Sequence, residues 1–214
     1  MSTKITVVDY GSGNLLSVCR AFRHCGADVA MAESAADVAR SERLVVPGVG
    51  AMADSMRNLE VRNLVEPIQQ FARTERPLLG ICVGMQIMFD AGEEFGIHPG
   101  LAVLPGRVRK MSGLRTDGSR RKIPQIGWNT LKPAPGINGW DETILQGLPD
   151  APAAYFLHSF AVEPVDQSIR LADCDYEGLQ ICSTVRKGSI YGCQFHPEKS
   201  GEVGLSILKN FLAL

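Results

Sequence analysis

The sequence predicts a three-layer α/β/α fold with a mostly parallel central sheet, and three observations lead to this prediction. In the first half, short β-branched runs alternate with amphipathic helical segments, as in proteins built from βαβ units. Residues 77–81 (PLLGI) are apolar without alternation, which is typical of a strand buried on both faces of a parallel sheet. In the second half, short runs are separated by Pro and Gly turns, which predicts antiparallel strands added at one side.

The order of elements follows from these patterns. A glycine turn (YGSGN) follows the first strand, Gly26 suits the end of the first helix, and Ser34 suits the start of the second. Strands are predicted at residues 4–9, 28–31, 43–46 and 77–81, and helices at 15–25, after Ser34, at 51–73 with an interruption at Pro67, and from Val83 to about Ala91. Strands and hairpins fill residues 101–191, and a helix closes the chain at 201–214. Residues 112–122 are basic and polar, which predicts an exposed hairpin tip or mobile loop, most simply a solvated loop without function.

Composition and charge exclude several classes of protein. The 214 residues contain 22 Lys plus Arg and 23 Asp plus Glu, a net charge of −1, so the chain lacks the basic field that nucleic-acid binding needs. The longest apolar stretch, residues 78–89, falls short of the ~20 residues that cross a bilayer. The apolar run before Asp9 is too short for a secretory signal. We expect one domain over residues 1–214, in the cytoplasm, with no nucleic-acid or membrane partner.

The cysteines give no sign of a disulfide framework or a metal centre. The six cysteines include no CxxC pair, and a domain of this size needs no disulfides for stability. Apart from Cys82, none has a His or carboxylate at ligand spacing. We expect reduced thiols, no metal site and no cofactor.

Cys82 has a distinctive setting. It lies between two glycines in residues 80–84 (GICVG), where a predicted strand meets a predicted helix. This is the spacing of a nucleophile elbow, whose cramped turn neighbouring side chains would block. The start of the next helix offers backbone N–H groups and a positive dipole end, which favour a thiolate and a developing oxyanion. Taken alone, the pattern also fits a buried core cysteine, which is the commoner case.

A second motif, His196-Pro197-Glu198, narrows the interpretation. It ends a predicted strand far downstream of Cys82, and alternate residues of a strand present their side chains on one face. An imidazole there can take the thiol proton, and a carboxylate two residues on can orient the ring and stabilise its cation. The elbow and this strand end together predict a Cys82–His196–Glu198 triad.

With these residues in place, the chain resembles the class I (triad) glutamine amidotransferases, and among them the glutaminase subunits of imidazole glycerol phosphate synthase in histidine biosynthesis. The resemblance covers nearly the whole chain and implies a class I glutamine amidotransferase-like (flavodoxin-like) fold. Val83 replaces a commoner Leu and Phe160 a common Tyr, and neither change touches the triad. The matching motifs are GICVGMQ at 80–86, GCQFHPEKS at 192–200, VVDYGSGNLLS near the start, PGVG at 47–50, IGWN at 126–129 and YFLHSF at 155–160.

The resemblance implies a reaction. Cys82 attacks the side-chain amide carbonyl of glutamine, forms a γ-glutamyl thioester and releases ammonia. His196 acts as base and then acid, and Glu198 orients it. The ammonia passes to a cyclase subunit, a (β/α)8 barrel on a separate chain that forms a heterodimer with this one. The cyclase then makes imidazole glycerol phosphate and an aminoimidazole carboxamide ribotide.

Further roles carry over residue by residue. Backbone N–H groups of Val83 and of Val49 or Gly50 form the oxyanion hole, and the PGVG strand reorients to supply its donor. The glycines flanking Val49 permit such a peptide flip. Gln86, one helical turn past the nucleophile, and Glu94 contact bound glutamine, although a solvated loop acid is an equal alternative for Glu94.

Four more residues match positions that face the synthase partner in this family: Asn14, Trp128, Tyr155 and Lys199. Trp128 and Tyr155 also fit ordinary core aromatics. His158 belongs to the family pattern but receives no catalytic role.

Three rival functions remain. A glutaminase serving another synthase, such as a paralogue in surface-polysaccharide pathways, differs only in its partner. A non-catalytic domain that binds glutamine or a regulated protein predicts a broken triad, whereas Cys82, His196 and Glu198 are all present. A peptidase or chaperone of the related Cys-elbow family lacks the FHPE strand end.

Overall fold

A nine-stranded sheet runs through the centre of the computed structural model, which describes residues 2–214. Its first five strands pair in parallel and the remaining four are added in antiparallel order. This confirms the predicted parallel sheet with antiparallel strands at one side. In spatial order the strands are β2 (Asp28–Ala32), β1 (Lys4–Val8), β3 (Leu44–Val46), β4 (Leu78–Ile81), β13 (Ile190–Cys193), β12 (Leu179–Lys187), β11 (Arg170–Tyr176), β8 (Gln125–Pro133) and β9 (Ala153–His158).

Helices cover both faces of this sheet. From β1 the chain crosses to β2 on one side and then returns past β1 to β3. Right-handed crossovers in opposite directions put the two connecting helices on opposite faces, which gives the three layers. The helices are α1 (Leu15–His24), α2 (Ala35–Arg40), α3 (Met52–Val61), α4 (Val65–Ala72), α5 (Val83–Gln86) and α6 (Gly201–Leu212).

The central strands are apolar because both of their faces are covered. Every residue of β3, β4 and β13 is buried, as the continuous hydrophobic runs predicted. On one face α1 packs on α6, where the Phe22 and Phe211 ring centroids lie 6.3 Å apart. The predicted cap at Ser34 is also confirmed, since its hydroxyl accepts from the Asp37 N–H while the Asp37 carboxylate accepts from the Ser34 N–H.

Two boundaries predicted for the helices are wrong. The helical region breaks at residues 62–64, where Asn63 has φ 55°, and not at Pro67. Pro67 lies in the first turn of α4, where a missing N–H removes no intrahelical hydrogen bond. The helix from Val83 does not reach Ala91 but ends at Gln86, because the following residues pair with a second sheet.

This second, four-stranded sheet was not predicted. Its strands, in spatial order, are β10 (Phe160–Pro164), β7 (Leu104–Lys110), β5 (Phe89–Gly92) and β6 (His98–Pro99). β5 follows α5 and contacts it, so this sheet lies next to the elbow.

The basic segment at residues 112–122 forms a hairpin tip, as predicted, with an isolated bridge between Leu114 and Arg120. Arg121 is only 6% exposed and donates to the carbonyl oxygens of Ser112, Leu114 and Glu177, which anchors the tip to the body of the protein. Across residues 2–214, no helix has both the length and the apolar character needed to cross a membrane.

Candidate active site

The candidate nucleophile lies on a strained turn at the end of β4. Cys82 has φ 55° and ψ −112°, a backbone conformation that residues with a side chain rarely adopt. Its N–H donates to the Cys193 carbonyl oxygen at 2.7 Å, and α5 begins at the next residue. The sharp turn therefore lifts the thiol out of the sheet at the carboxyl edge, where open α/β sheets place their sites.

Glycines permit this turn because other backbone lies against it. A Cβ atom on Gly84 would stand 1.8 Å from the Val46 carbonyl oxygen, and one on Gly48 would stand 2.6 Å from the Gly84 nitrogen. The PGVG strand thus packs directly on the elbow. Tyr10 also holds this segment, which follows β3, since its hydroxyl donates to the Pro47 carbonyl oxygen at 2.6 Å.

The other two predicted triad residues follow β13, the parallel neighbour of β4. Cys193 pairs with Ile81, so the chain leaving β13 passes directly beside Cys82. His196 Nδ1 lies 2.7 Å from Glu198 Oε1, and the two side chains are 1% and 0% exposed. His196 also interacts with the Cys82 side chain, and both residues line the same pocket. The structure therefore brings all three residues together in the predicted order.

The electrostatics of the triad favour a cationic imidazole. Burial alone lowers the pKa of His196, but hydrogen bonds to Cys82 and Glu198 and the negative charge of both partners outweigh burial and raise the pKa to about 10. At neutral pH, His196 is thus equipped to hold the proton taken from the thiol.

Asn14 makes a contact that its predicted interface position did not suggest. Its side-chain amide donates to Glu198 Oε1 at 2.5 Å, so this oxygen accepts from both Asn14 and His196. The arrangement fixes the carboxylate that orients the imidazole.

A pocket of about 240 Å³ opens beside the thiol and collects most of the predicted site residues. Glu94 reaches the pocket from the turn after β5. Gln86 uses its amide nitrogen twice, donating to the Phe160 carbonyl oxygen at 2.9 Å and to Gln194 Oε1 at 3.1 Å. Its amide oxygen is therefore the group left for a ligand. The lining residues are Val49, Gly50, Cys82, Val83, Gln86, Glu94, Pro124, Leu157, His158, Ser159, Phe160 and His196.

The PGVG strand does not present a free donor at Val49. The Val49 N–H donates to Ser12 Oγ at 3.2 Å, so this N–H is already occupied. Gly50, the next residue, has φ 89°, which is accessible to glycine without strain. Ser12 lies in the β1–α1 turn, between Tyr10 and Asn14, which contact the PGVG strand and the triad respectively.

His158 gives the pocket an acceptor that sequence reasoning missed. Its Nδ1 lies 2.9 Å from the Phe160 carbonyl oxygen, which can only accept, so Nδ1 carries the proton. Burial, with the charge of His196, lowers the pKa of His158 to about 4 against the opposing hydrogen bond, so the ring is neutral. Among residues 2–214 nothing hydrogen-bonds to its buried Nε2. His158 lines the pocket, and a polar ligand that reached Nε2 would satisfy this atom.

Gln194 was also missed. It is fully buried, and its Nε2 lies 3.8 Å from Cys82 Sγ. The only sequence signal was its place inside the GCQFHPEKS motif, where neither spacing nor charge distinguishes it.

Three of the predicted interface residues, Trp128, Tyr155 and Lys199, are wholly or partly exposed. Trp128 is 57% exposed, which excludes the core alternative for this residue, and its ring meets that of Tyr155 edge-on at 6.0 Å. Cross-strand pairing of β8 with β9 places Ile126 beside Leu157 on the same surface, and both are exposed. We call these four residues the apolar face. Lys199 is exposed just beyond Glu198.

Comparison with known proteins agrees with this geometry. The family model for "Glutamine amidotransferase class-I" matches residues 6–214. The imidazole glycerol phosphate synthase subunit HisH 1 of Legionella pneumophila (strain Paris) is 46% identical over 99% of this chain and 100% of its own length. Subunit HisH of Geobacter sulfurreducens is 44% identical over 98% of each chain. The solved structure of PurLQS from Thermotoga maritima superposes with a TM-score of 0.73 at 19% identity, covering 100% and 99% of the two chains.

The chain therefore belongs to the class I glutamine amidotransferase family. Within that class it belongs to the HisH family of imidazole glycerol phosphate synthase subunits, since two such relatives match it over almost their whole length.

The raised pKa of His196 gives a testable titration. We expect the imidazole to lose its proton near pH 10 in the wild-type chain and at lower pH in Cys82→Ala, which lacks the hydrogen bond and charge of Cys82. A pKa that is higher in the folded state than in the unfolded state stabilises the fold. This contribution to the free energy of unfolding is fully present at pH values below the unfolded-state pKa of ~6.5, and it is lost as the pH rises through about 10.

NMR titration of the imidazoles measures this directly, with His24→Gln and His196→Gln to assign the signals. Urea unfolding at several pH values between 6 and 10 tests the linkage. Identical His196 titrations in wild type and Cys82→Ala would show that the thiol does not interact with this ring.

Proposed function

We propose that this chain hydrolyses glutamine to glutamate and ammonia at Cys82, as the glutaminase subunit of imidazole glycerol phosphate synthase. The observation that carries the proposal is the contact between Cys82, on the elbow after β4, and His196, held by Glu198 after β13. The HisH relatives supply the pathway. The free cysteines of the chain fit a reducing cytoplasm, where we place the reaction.

The first half of the proposed reaction makes a thioester. The Cys82 proton moves to His196, and the thiolate attacks the side-chain carbonyl carbon of glutamine, whose C=O electron pair moves onto oxygen. We assign the stabilisation of that oxyanion to the Val83 N–H, which lies at the start of α5. As the oxyanion collapses, the C–N bond breaks and His196 gives its proton to the departing ammonia.

The second half releases glutamate. A water molecule passes a proton to His196 while its oxygen attacks the thioester carbonyl. The C–S bond then breaks and its electron pair returns to the Cys82 sulfur. For substrate binding, we assign the Glu94 carboxylate and the Gln86 amide oxygen to the α-ammonium group of glutamine. His158 Nε2, which accepts no hydrogen bond from residues 2–214, fits the NH₂ of the side-chain amide of the substrate.

We further propose that the PGVG strand must rearrange before it can complete the oxyanion hole. The Val49 N–H is bonded to Ser12 and is therefore not offered to the substrate in the conformation described. Losing one oxyanion donor costs on the order of 10²–10³ in rate. The isolated subunit would thus hydrolyse glutamine slowly despite a complete triad.

For the partner, we propose a separate cyclase subunit, a (β/α)8 barrel, covering the apolar face. Exposed aromatic and aliphatic side chains at a sheet edge are typical of an interface core. Leu157 belongs both to this face and to the glutamine pocket, so a partner seated there would lie next to the point where ammonia is released. Asn14 and Lys199 would lie at the rim.

Removing the Ser12 hydroxyl is expected to release the PGVG strand. In Ser12→Ala the resting conformation loses one hydrogen bond, and we expect glutaminase activity of the isolated chain to rise about two- to tenfold. Stimulation by the partner falls by the same factor, since the stimulated rate stays the same. Glutamate production measures both rates, with Ser17→Ala, on the exposed side of α1, as the control. Unchanged or lower basal activity in Ser12→Ala would contradict the resting role of this bond.

The proposed function is tested by glutamate production from the purified chain, alone and with a cyclase subunit and its nucleotide ligand. We expect strong stimulation, its loss in Cys82→Ala, and weaker complex formation in Trp128→Ala. If the cyclase neither binds nor stimulates the chain while Cys82 still reacts with glutamine analogues, the chain serves another synthase. A folded chain whose Cys82 reacts with no glutamine analogue would refute the glutaminase assignment.

A further inference from the structure

We propose that Gln194 is a catalytic residue: its side-chain amide N–H donates a hydrogen bond to Cys82 Sγ and stabilises the thiolate that attacks glutamine. The inference rests on the proposed glutaminase function and adds to it a residue that touches the reacting sulfur. Gln86 then acts through Gln194 as a positioning residue.

The geometry forms an unbroken chain of polar contacts. Gln194 is fully buried and follows β13, and its backbone N–H donates to the Ser183 carbonyl oxygen at 2.9 Å. Its Nε2 lies 3.8 Å from Cys82 Sγ and its Oε1 accepts from Gln86 Nε2 at 3.1 Å. Gln86 Nε2 also donates to the Phe160 carbonyl oxygen at 2.9 Å.

The direction of these hydrogen bonds follows from one backbone group. The Phe160 carbonyl can only accept, so the Gln86 atom facing it must be the NH₂ group. The second hydrogen of that NH₂ meets Gln194, which must therefore turn its oxygen toward Gln86 and its NH₂ toward the sulfur. A flipped Gln194 would place two donors against each other and a carbonyl oxygen against a thiolate. The network thus holds a donor on Cys82.

A donor at this position acts on the anionic sulfur. The Leu157 carbonyl oxygen, 3.9 Å from Sγ, is an acceptor and favours the protonated thiol. Gln194 opposes it, because a hydrogen bond to the charged form of a group favours that form. The same N–H is in place when the thioester breaks and charge returns to sulfur, so it also aids the leaving group of the second step.

The position of Gln194 makes the donor effective. The side chain is buried, and hydrogen bonds to charged groups are stronger in a buried site than in water. His196 approaches the sulfur as the acid and base, and it exchanges a proton in every cycle. Gln194 has no proton to lose at these pH values, so it remains a donor in both protonation states of the histidine.

The test compares alkylation of Cys82 by chloroacetamide, a small uncharged reagent, in the full chain. Peptide mass spectrometry follows Cys82 separately from the other five cysteines. In Gln194→Met, which keeps the side-chain length and lacks the donor, we expect alkylation at pH 7 about 10- to 100-fold slower than in wild type. The gap narrows at high pH, where hydroxide deprotonates the thiol without help. If Gln194 had only a structural role, Gln194→Met would loosen the site. Loosening would leave the pH dependence of Cys82 alkylation as it is in wild type, or it would speed the alkylation.

Gln125→Met is the matched control, since Gln125 is equally buried and donates to Cys174 Sγ at 3.7 Å. We expect it to leave the Cys82 rate unaltered. If Gln194→Met fails to fold, Gln86→Met serves as the test. This substitution removes the hydrogen bond that orients the Gln194 amide, so we expect it to slow alkylation of Cys82 by a smaller factor. If wild type and the folded variant show equal alkylation rates and pH profiles, the role of Gln194 is refuted, whereas the proposed glutaminase function is not. A wild-type Cys82 no more reactive than the half-buried Cys25 would instead count against the proposed function.

Discussion

The parallel pairing of β4 with β13 is the constraint on which the candidate site depends. The two strands are far apart in sequence, yet their carboxyl ends emerge side by side at the middle of the sheet. One strand delivers Cys82 on a strained turn, and the other delivers His196 and Glu198 within hydrogen-bonding reach. The strain at Cys82 persists because buried apolar strands on both sides hold the turn in place. The chemistry therefore rests on the hydrophobic core of the sheet.

Where β4 and β13 end, the buried polar groups of the candidate site form a connected network. Asn14 and His196 share an oxygen of Glu198, His196 interacts with Cys82, and Gln194 Nε2 lies 3.8 Å from the same sulfur. A buried polar group without a partner is costly, so such networks define a single arrangement. Two atoms of the site are exceptions, since His158 Nε2 and Glu198 Oε2 are buried and have no hydrogen-bond partner among the described residues. In folded proteins such atoms are usually satisfied by ordered water or by a ligand.

The sequence was sufficient for the elements whose signals are local. The alternating strands and helices, the Ser34 cap and the elbow at Cys82 were all predicted, since spacing and residue type dictate them. The helix from Val83 was predicted too long, because long-range pairing of β5 with β7 overrides the helical pattern of residues 87–91. The bonds from Ser12 to Val49 and from Gln194 to Cys82 join residues distant in sequence. No local pattern reports such contacts, so only the fold reveals them.

The central claim is that Cys82 carries the glutamyl group during turnover. The most direct measurement is acid quenching of the chain during glutamine hydrolysis, with the cyclase subunit and its nucleotide ligand present, followed by mass spectrometry of the Cys82 peptide. The account predicts a γ-glutamyl adduct on Cys82 that is absent from Cys82→Ala and disappears when glutamine is exhausted. Continued hydrolysis with no adduct at Cys82, or an adduct confined to another cysteine, would contradict it.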